Sequence, residues 1–172
     1  MSGTSDHAKS IYIVGLRNQH AVENQAIELL ERQLGRLENY PAMAERMRQH
    51  LEESKEQARR IEDLLSQFDT SHSTLKDTVM SFIGNMAALA HAPAQDEVMK
   101  NTFANYAFEH YEIASYKSLL TLAELTGHSS AMSALKQSLS EEEAMAQWID
   151  AHLAETTRTY VSRNAAGVTA GR

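Results

Sequence analysis

From Ile11 onward the apolar residues of this chain return every three or four positions, with only two prolines and seven glycines in 172 residues to interrupt them. Ile13, Leu16, His20, Glu23, Ile27, Leu30 and Leu34 fall on one stripe of a helix, because 3.6 residues per turn brings such positions to the same side. The stripe carries an acid, Glu23, at its middle, so that side chain is expected to face the core. Gly15 costs this helix about 1 kcal/mol relative to alanine unless close packing uses its missing side chain.

Asn39-Tyr40-Pro41 breaks the pattern, and Pro41 suits the first turn of a second helix, predicted over 41–68. Met47, Leu51, Ala58, Ile61, Leu65 and Phe68 supply its apolar face, with His50, Glu53 and Gln57 along one edge. Asp69 to Thr74 reads as a turn before a shorter helix over 75–90, long enough to cross a bundle. A linker at His91-Ala92-Pro93-Ala94 leads to a third long helix over 95–126, bearing Met99, Phe103, Tyr106, Glu109, Glu112, Tyr116, Leu119 and Ala123. Gly127-His128-Ser129 connects it to a fourth over 130–160, with Leu135, Leu139, Glu142, Ala146, Ile149 and Leu153 in phase. The expected fold class is therefore all-α: a four-helix bundle with a short crossover helix, one domain over residues 6–160. Residues 161–172, polar and holding two glycines, read as a flexible tail.

Composition narrows the function classes. Sixteen basic against 23 acidic residues give a formal charge of −7, a poor starting point for gripping phosphates, so no nucleic acid partner is expected. The absence of cysteine excludes disulfides, iron–sulfur centres and a thiolate nucleophile, and leaves oxygen and imidazole as metal donors. Met1 to Ser10 lacks an apolar signal core, and no apolar run approaches about 18 residues, so a cytoplasmic protein with no membrane segment is expected. No catalytic triad, phosphate loop or nucleotide fingerprint is present, and no catalytic residue is assigned.

Each long helix places an acid near its middle: Glu23, Glu53, Glu109 with Glu112, and Glu142. In an antiparallel bundle these can meet at one level, where five carboxylates repel one another without cations. Two divalent ions neutralise four of those charges, and oxygen with imidazole donors suits iron or manganese. His50, one turn before Glu53, is the best imidazole candidate, as ligand or as hydrogen-bond partner of a ligand. His20 lies one turn before Glu23, and His110 points about 100° away from Glu109. Tyr106, Tyr116 and Phe103 either pack the core or line the third-helix side of a pocket. Glu53 and Glu112 are the expected bridges between two metals, with Glu23 and Glu142 capping one each. The competing reading, in which these acids are ion-pair residues on a helical structural or interaction protein without a functional metal site, belongs to a different class.

Four segments carry a resemblance: Ala21-Val22-Glu23-Asn24-Gln25, His50-Leu51-Glu52-Glu53-Ser54, Glu109-His110-Tyr111-Glu112-Ile113-Ala114-Ser115-Tyr116, and Leu139-Ser140-Glu141-Glu142-Glu143. Together they resemble the YciF-like branch of the ferritin-like family, from about Asp6 through Leu153. The resemblance implies a ferritin-like bundle, a carboxylate-rich dimetal site with ligands at Glu23, Glu53, Glu109, Glu112 and Glu142, and a link to bacterial stress responses. It also implies two iron ions per chain, a reaction with oxygen or peroxide, and a homodimer, for which Phe82, Met86, Trp148 and Phe108 are interface candidates. The Glu-x-x-His pairing of better-known ferritin relatives is absent, because the corresponding steps from Glu53 and Glu142 reach Glu56 and Met145. An acid one turn beyond Glu142 in that branch is Ala146 here.

Overall fold

The structure, a computed structural model, describes residues 2–68 and 96–171. Four long helices account for most of them: α1, Ser2–Leu34; α2, Pro41–Leu65; α3, Glu97–Leu125; and α4, Met132–Ala165, the last preceded by a 3-10 turn at Ser129–Ala131. No strand occurs among the described residues, and none of the helices is long and apolar enough to cross a membrane. The predicted crossover helix over 75–90 and the linker before α3, with Phe82 and Met86, lie outside the described residues.

Packing runs around a square. α1 lies against α2 and α3, and α4 against α3 and α2. Pairings such as Gln19 with Glu112 and Arg36 with Glu97 make α1 and α3 antiparallel, and those of Arg60 with Glu141 and His50 with Glu142 do the same for α2 and α4. The two hairpins α1–α2 and α3–α4 are antiparallel through their short loops, so α2 and α3 run the same way. The chain thus leaves α2 near the start of α1, where Phe68 meets Tyr12, and resumes at the far end, where Glu97 pairs with Arg36. An up-down pair, a long connection and a second pair is the arrangement of the carboxylate-bearing bundles.

Two apolar cores fill the ends. One gathers Tyr12, Leu16, Ile61, Tyr116, Leu119 and Leu135, the other Leu30, Met43, Met47, Val98, Met145 and Ile149. Between them lies a buried polar layer of Gln19, Glu23, His50, Ser54, Gln57, Glu109, Glu112, Ser138 and Glu142. At Gly15 an added Cβ would come within 3.0 Å of Leu119 Cδ2, so the missing side chain lets α1 approach α3 closely. A bidentate ion pair from Arg60 to Glu141 ties α2 to α4 beside the polar layer.

The segment expected to be a flexible tail lies against the bundle in this structure. α4 continues to Ala165, and Gly167, at φ +68°, turns the chain back, with its N–H on Asn164 and that of Val168 on Arg163. The Tyr40 hydroxyl then donates to the Ala170 carbonyl at 2.6 Å, and Arg163 Nε to the Thr169 carbonyl at 2.7 Å. The Gly171 carbonyl accepts from the Val98 N–H in the first turn of α3, a donor that no residue within that helix can satisfy. These partners are remote in sequence, so local composition carries no sign of them.

Candidate metal centre

The polar layer is built by helical spacing. On α1, Gln19 and Glu23 stand four residues apart on the core face, and on α3 Glu109, Glu112 and Tyr116 follow at three and four. α2 contributes His50 and α4 Glu142. Glu23, Glu112 and Glu142 are fully buried, Glu109 is 3% exposed and His50 1%.

These side chains form two overlapping sets of donors: His50, Glu109 and Glu142, and Glu23, Glu112 and Glu142. Within each set one donor atom from every residue lies within 4.8 Å of the others. Glu142 belongs to both.

Around the outside, the layer is hydrogen-bonded. Tyr116 donates to Glu23 Oε1 at 2.5 Å, and Gln19 Nε2 donates to the same oxygen at 2.8 Å and to Glu112 Oε1 at 3.3 Å. Toward the centre, it is not. Glu23 Oε2, Glu109 Oε2, Glu112 Oε2, both oxygens of Glu142 and His50 Nε2 are buried without any hydrogen-bond partner. His50 Nε2 lies 3.2 Å from Glu109 Oε2 and 3.7 Å from Glu142 Oε2, close enough for charge pairing but not aligned as a hydrogen bond. Buried polar atoms are nearly always paired, so lone pairs converging from four helices fit a cation between them. Four carboxylates with a neutral imidazole match the charge of two divalent ions.

Electrostatics tells the same story for the metal-free chain. Burial pushes Glu23 up to about 7, against the pull of its Tyr116 and Gln19 hydrogen bonds. Burial, reinforced by neighbouring carboxylates, raises Glu112 and Glu142 well above the usual range. Burial also works against the charge on Glu109, yet His50 outweighs it and holds this carboxyl low. For His50, burial disfavours the cation, but Glu109, Glu53 and Glu142 reverse the balance and raise it well above its ordinary value. Without metal, the cluster is thus neutralised by protons and an imidazolium, which divalent ions would displace.

Glu53, one of the two expected bridges, stands half-buried at the edge of the layer. It belongs to neither donor set, and its oxygens are taken: Oε1 accepts from Gln49 at 2.8 Å, and Oε2 from Arg46 and from His50 Nδ1, each at 3.0 Å. Burial opposes its charge, but His50 and Arg46 bring it down to about 2. An ionised carboxylate can only accept, so His50 Nδ1 carries the proton and, in the neutral ring, Nε2 presents its lone pair to the centre. Glu142, rather than Glu53, is the residue shared between the two sets, because Arg46 draws Glu53 outward.

Of the other candidates, Tyr116 stands at the centre. Tyr106 donates to Asp150, Phe103 is 53% exposed, the exposed His110 packs on the Tyr106 ring, and His20 sits beside Asn24. Sequence reasoning missed Gln19, whose only signal is its position four residues before Glu23, and Arg46, four residues before His50.

Residues 7–162 match the family described as a domain of unknown function, DUF892. Protein YciF of Escherichia coli K12 is 31% identical over 147 residues, 79% of this chain and 84% of that protein. Among solved structures, a protein from Xanthomonas campestris pv. campestris aligns with a TM-score of 0.78 at 26% identity, covering 92% of this chain and 99% of the other. The E. coli stress protein YciF aligns with a TM-score of 0.72 at 25% identity, covering 85% and 94%.

Proposed function

Since the chain belongs to the DUF892 family, we propose that it is a stress-related protein that holds two divalent metal ions, iron first and manganese second, in the carboxylate layer of its bundle. The observation that carries this reading is the set of unpartnered buried oxygens and imidazole nitrogen that converge there. His50, Glu109 and Glu142 would hold one ion, and Glu23, Glu112 and Glu142 the other, with Glu142 between them.

Bound iron would supply redox and Lewis-acid chemistry toward oxygen or peroxide. The protein's own part is orientation and exclusion of water. Glu53, steadied by Arg46, keeps the proton on His50 Nδ1. Tyr116 and Gln19 pin one oxygen of Glu23 and leave its other oxygen directed inward. The two apolar cores shield the layer from bulk solvent, which strengthens the charge interactions inside it.

Anaerobic Fe(II) titration of protein purified without chelator tests the reading, with saturation expected near two ions per chain. No retained metal and no saturable binding would leave the competing reading, a helical structural or interaction protein, which the missing Glu-x-x-His partners at Glu56 and Met145 favour. A homodimer and a cytoplasmic location complete the proposal. The first is supported by the family resemblance, and a monomeric mass by light scattering at the highest concentration reached would refute it.

A further inference from the structure

A cleft opens between the start of α2 and the last third of α4, beside Tyr40, Trp148, His152 and Thr156, with a volume of about 140 Å³. A second, inner cavity shares Met43, Trp148, His152 and Thr156 with it and ends at Met47 and Met145. Its free volume of about 10 Å³ is on the scale at which one water-sized molecule just fits. Met47 and Met145, each 1% exposed, precede His50 and follow Glu142 by three residues, one helical turn, so the inner cavity ends one turn from the carboxylate layer. The His152 ring stacks on Trp148 at 4.0 Å, and its Nδ1 bonds to the Trp148 carbonyl, fixing the outer wall.

We infer that this cleft is the access route by which a small uncharged molecule of the size of hydrogen peroxide reaches the carboxylate layer, with the Met47–Met145 pair as its inner gate. At about 10 Å³ the inner cavity restricts passage to the smallest molecules, and Met43, Met47, Met145 and Ile149 in its wall offer an ion no charged partner. Unbranched thioether side chains suit a gate because three rotatable bonds let them move aside without backbone displacement. The inference rests on the dimetal reading only for what waits at the inner end, since the route itself belongs to the metal-free chain.

Peroxide is its own footprint. It transfers one oxygen to a methionine sulfur, giving the sulfoxide, and leaves as water, so the sulfur loses two electrons and the peroxide gains them. In metal-free protein exposed to dilute hydrogen peroxide, peptide mass spectrometry should find Met47 and Met145 oxidised at rates comparable to the partly exposed Met132 at the opposite end, despite their burial. Thr156→Leu, which plugs the junction of the two cavities, should slow oxidation of Met47 and Met145 by about tenfold and leave Met132 unchanged, because susceptibility follows access. Thr156→Ile serves as a second plug should the first variant not fold. Resistance of Met47 and Met145 in the parent chain, or equal oxidation in parent and plugged chains, overturns the inference. With Fe(II) loaded, the plug should leave the stoichiometry intact and slow peroxide consumption. Failure to load iron would count against the metal reading alone, because the oxidation pattern is read without it.

Discussion

At the scale of single residues, two glutamates stand on opposite sides of one imidazole, Glu53 Oε2 3.0 Å from His50 Nδ1 and Glu142 Oε2 3.7 Å from Nε2. Glu142 is shared by both donor sets, so Glu142→Gln should abolish binding of both ions, as read by metal content after gel filtration. Glu53 meets His50 at Nδ1, the nitrogen away from the donor sets, so Glu53→Gln should keep two ions per chain and weaken them by roughly 10 to 100-fold, the usual cost of removing a partner that orients a ligand. Two ions at unchanged affinity in the Glu142 variant would move the bridging role elsewhere. The same residues set a pH dependence. In metal-free protein Glu23 stays protonated up to about 7, against 4.5 for an ordinary glutamate. A raised carboxyl contributes stability that is complete below pH 4.5 and lost as pH rises through 7, on the order of 3 kcal/mol for this group. Glu112 and Glu142 act in the same direction, and the raised His50 loses its contribution as pH climbs beyond 6.5. Glu53, at about 2, works the other way, but its contribution is lost only below 4.5. Urea unfolding with chelator present should therefore give a midpoint that falls steadily from pH 5 to pH 8, and a flat or rising series would contradict the burial of these acids.

At the scale of elements, helix ends and loops decide where the site's side chains stand. α3 ends at Gly127, φ +74°, with the Gly127 N–H on Glu124 and the His128 N–H on Ala123, a pair of bonds that requires the left-handed conformation. Gly127→Ala should cost about 1 kcal/mol and lower the melting temperature by about 2 to 4 °C, by the strain of a Cβ at positive φ and the size of the domain. Calorimetry of the two proteins measures it. At the other end of α3, the folded-back segment supplies the carbonyl of Gly171 to Val98 and rests on Tyr40. Removing residues 167–172 should leave the polar layer in place and speed hydrogen exchange at Val98. Unchanged exchange there would mean that the segment contributes nothing to holding the helix start.

For the whole molecule, the polar layer is a fault line between two apolar cores, tolerable only when its charge is balanced. Metal would do this by binding the folded chain alone, and a ligand at 100 times its Kd adds about 3 kcal/mol per site. Two sites in a domain of this size should raise the melting temperature by about 10 to 20 °C at that excess. Thermal unfolding with anaerobic Fe(II) or with Mn(II) reads the shift, and no shift at saturating metal would argue against ions in the layer.

The sequence by itself determined the four long helices, their breaks at Pro41 and Gly127, and the level at which Glu23, Glu109, Glu112 and Glu142 would meet. All of these follow from periodicity and local conformational preference, which neighbouring residues carry among themselves. Only the tertiary structure decided which side chain at each level faces inward. Gln19 rather than His20 does so on α1, and on α2 His50 turns in while Glu53 turns out. Such choices depend on a rotation of one residue about the helix axis and on competition from Arg46, and stripe spacings of three and four tolerate either phase. The docked end of the chain was illegible for a related reason. Its polar, glycine-bearing sequence finds its partners at Tyr40 and Val98, and those contacts come into existence only when helices distant along the chain have packed.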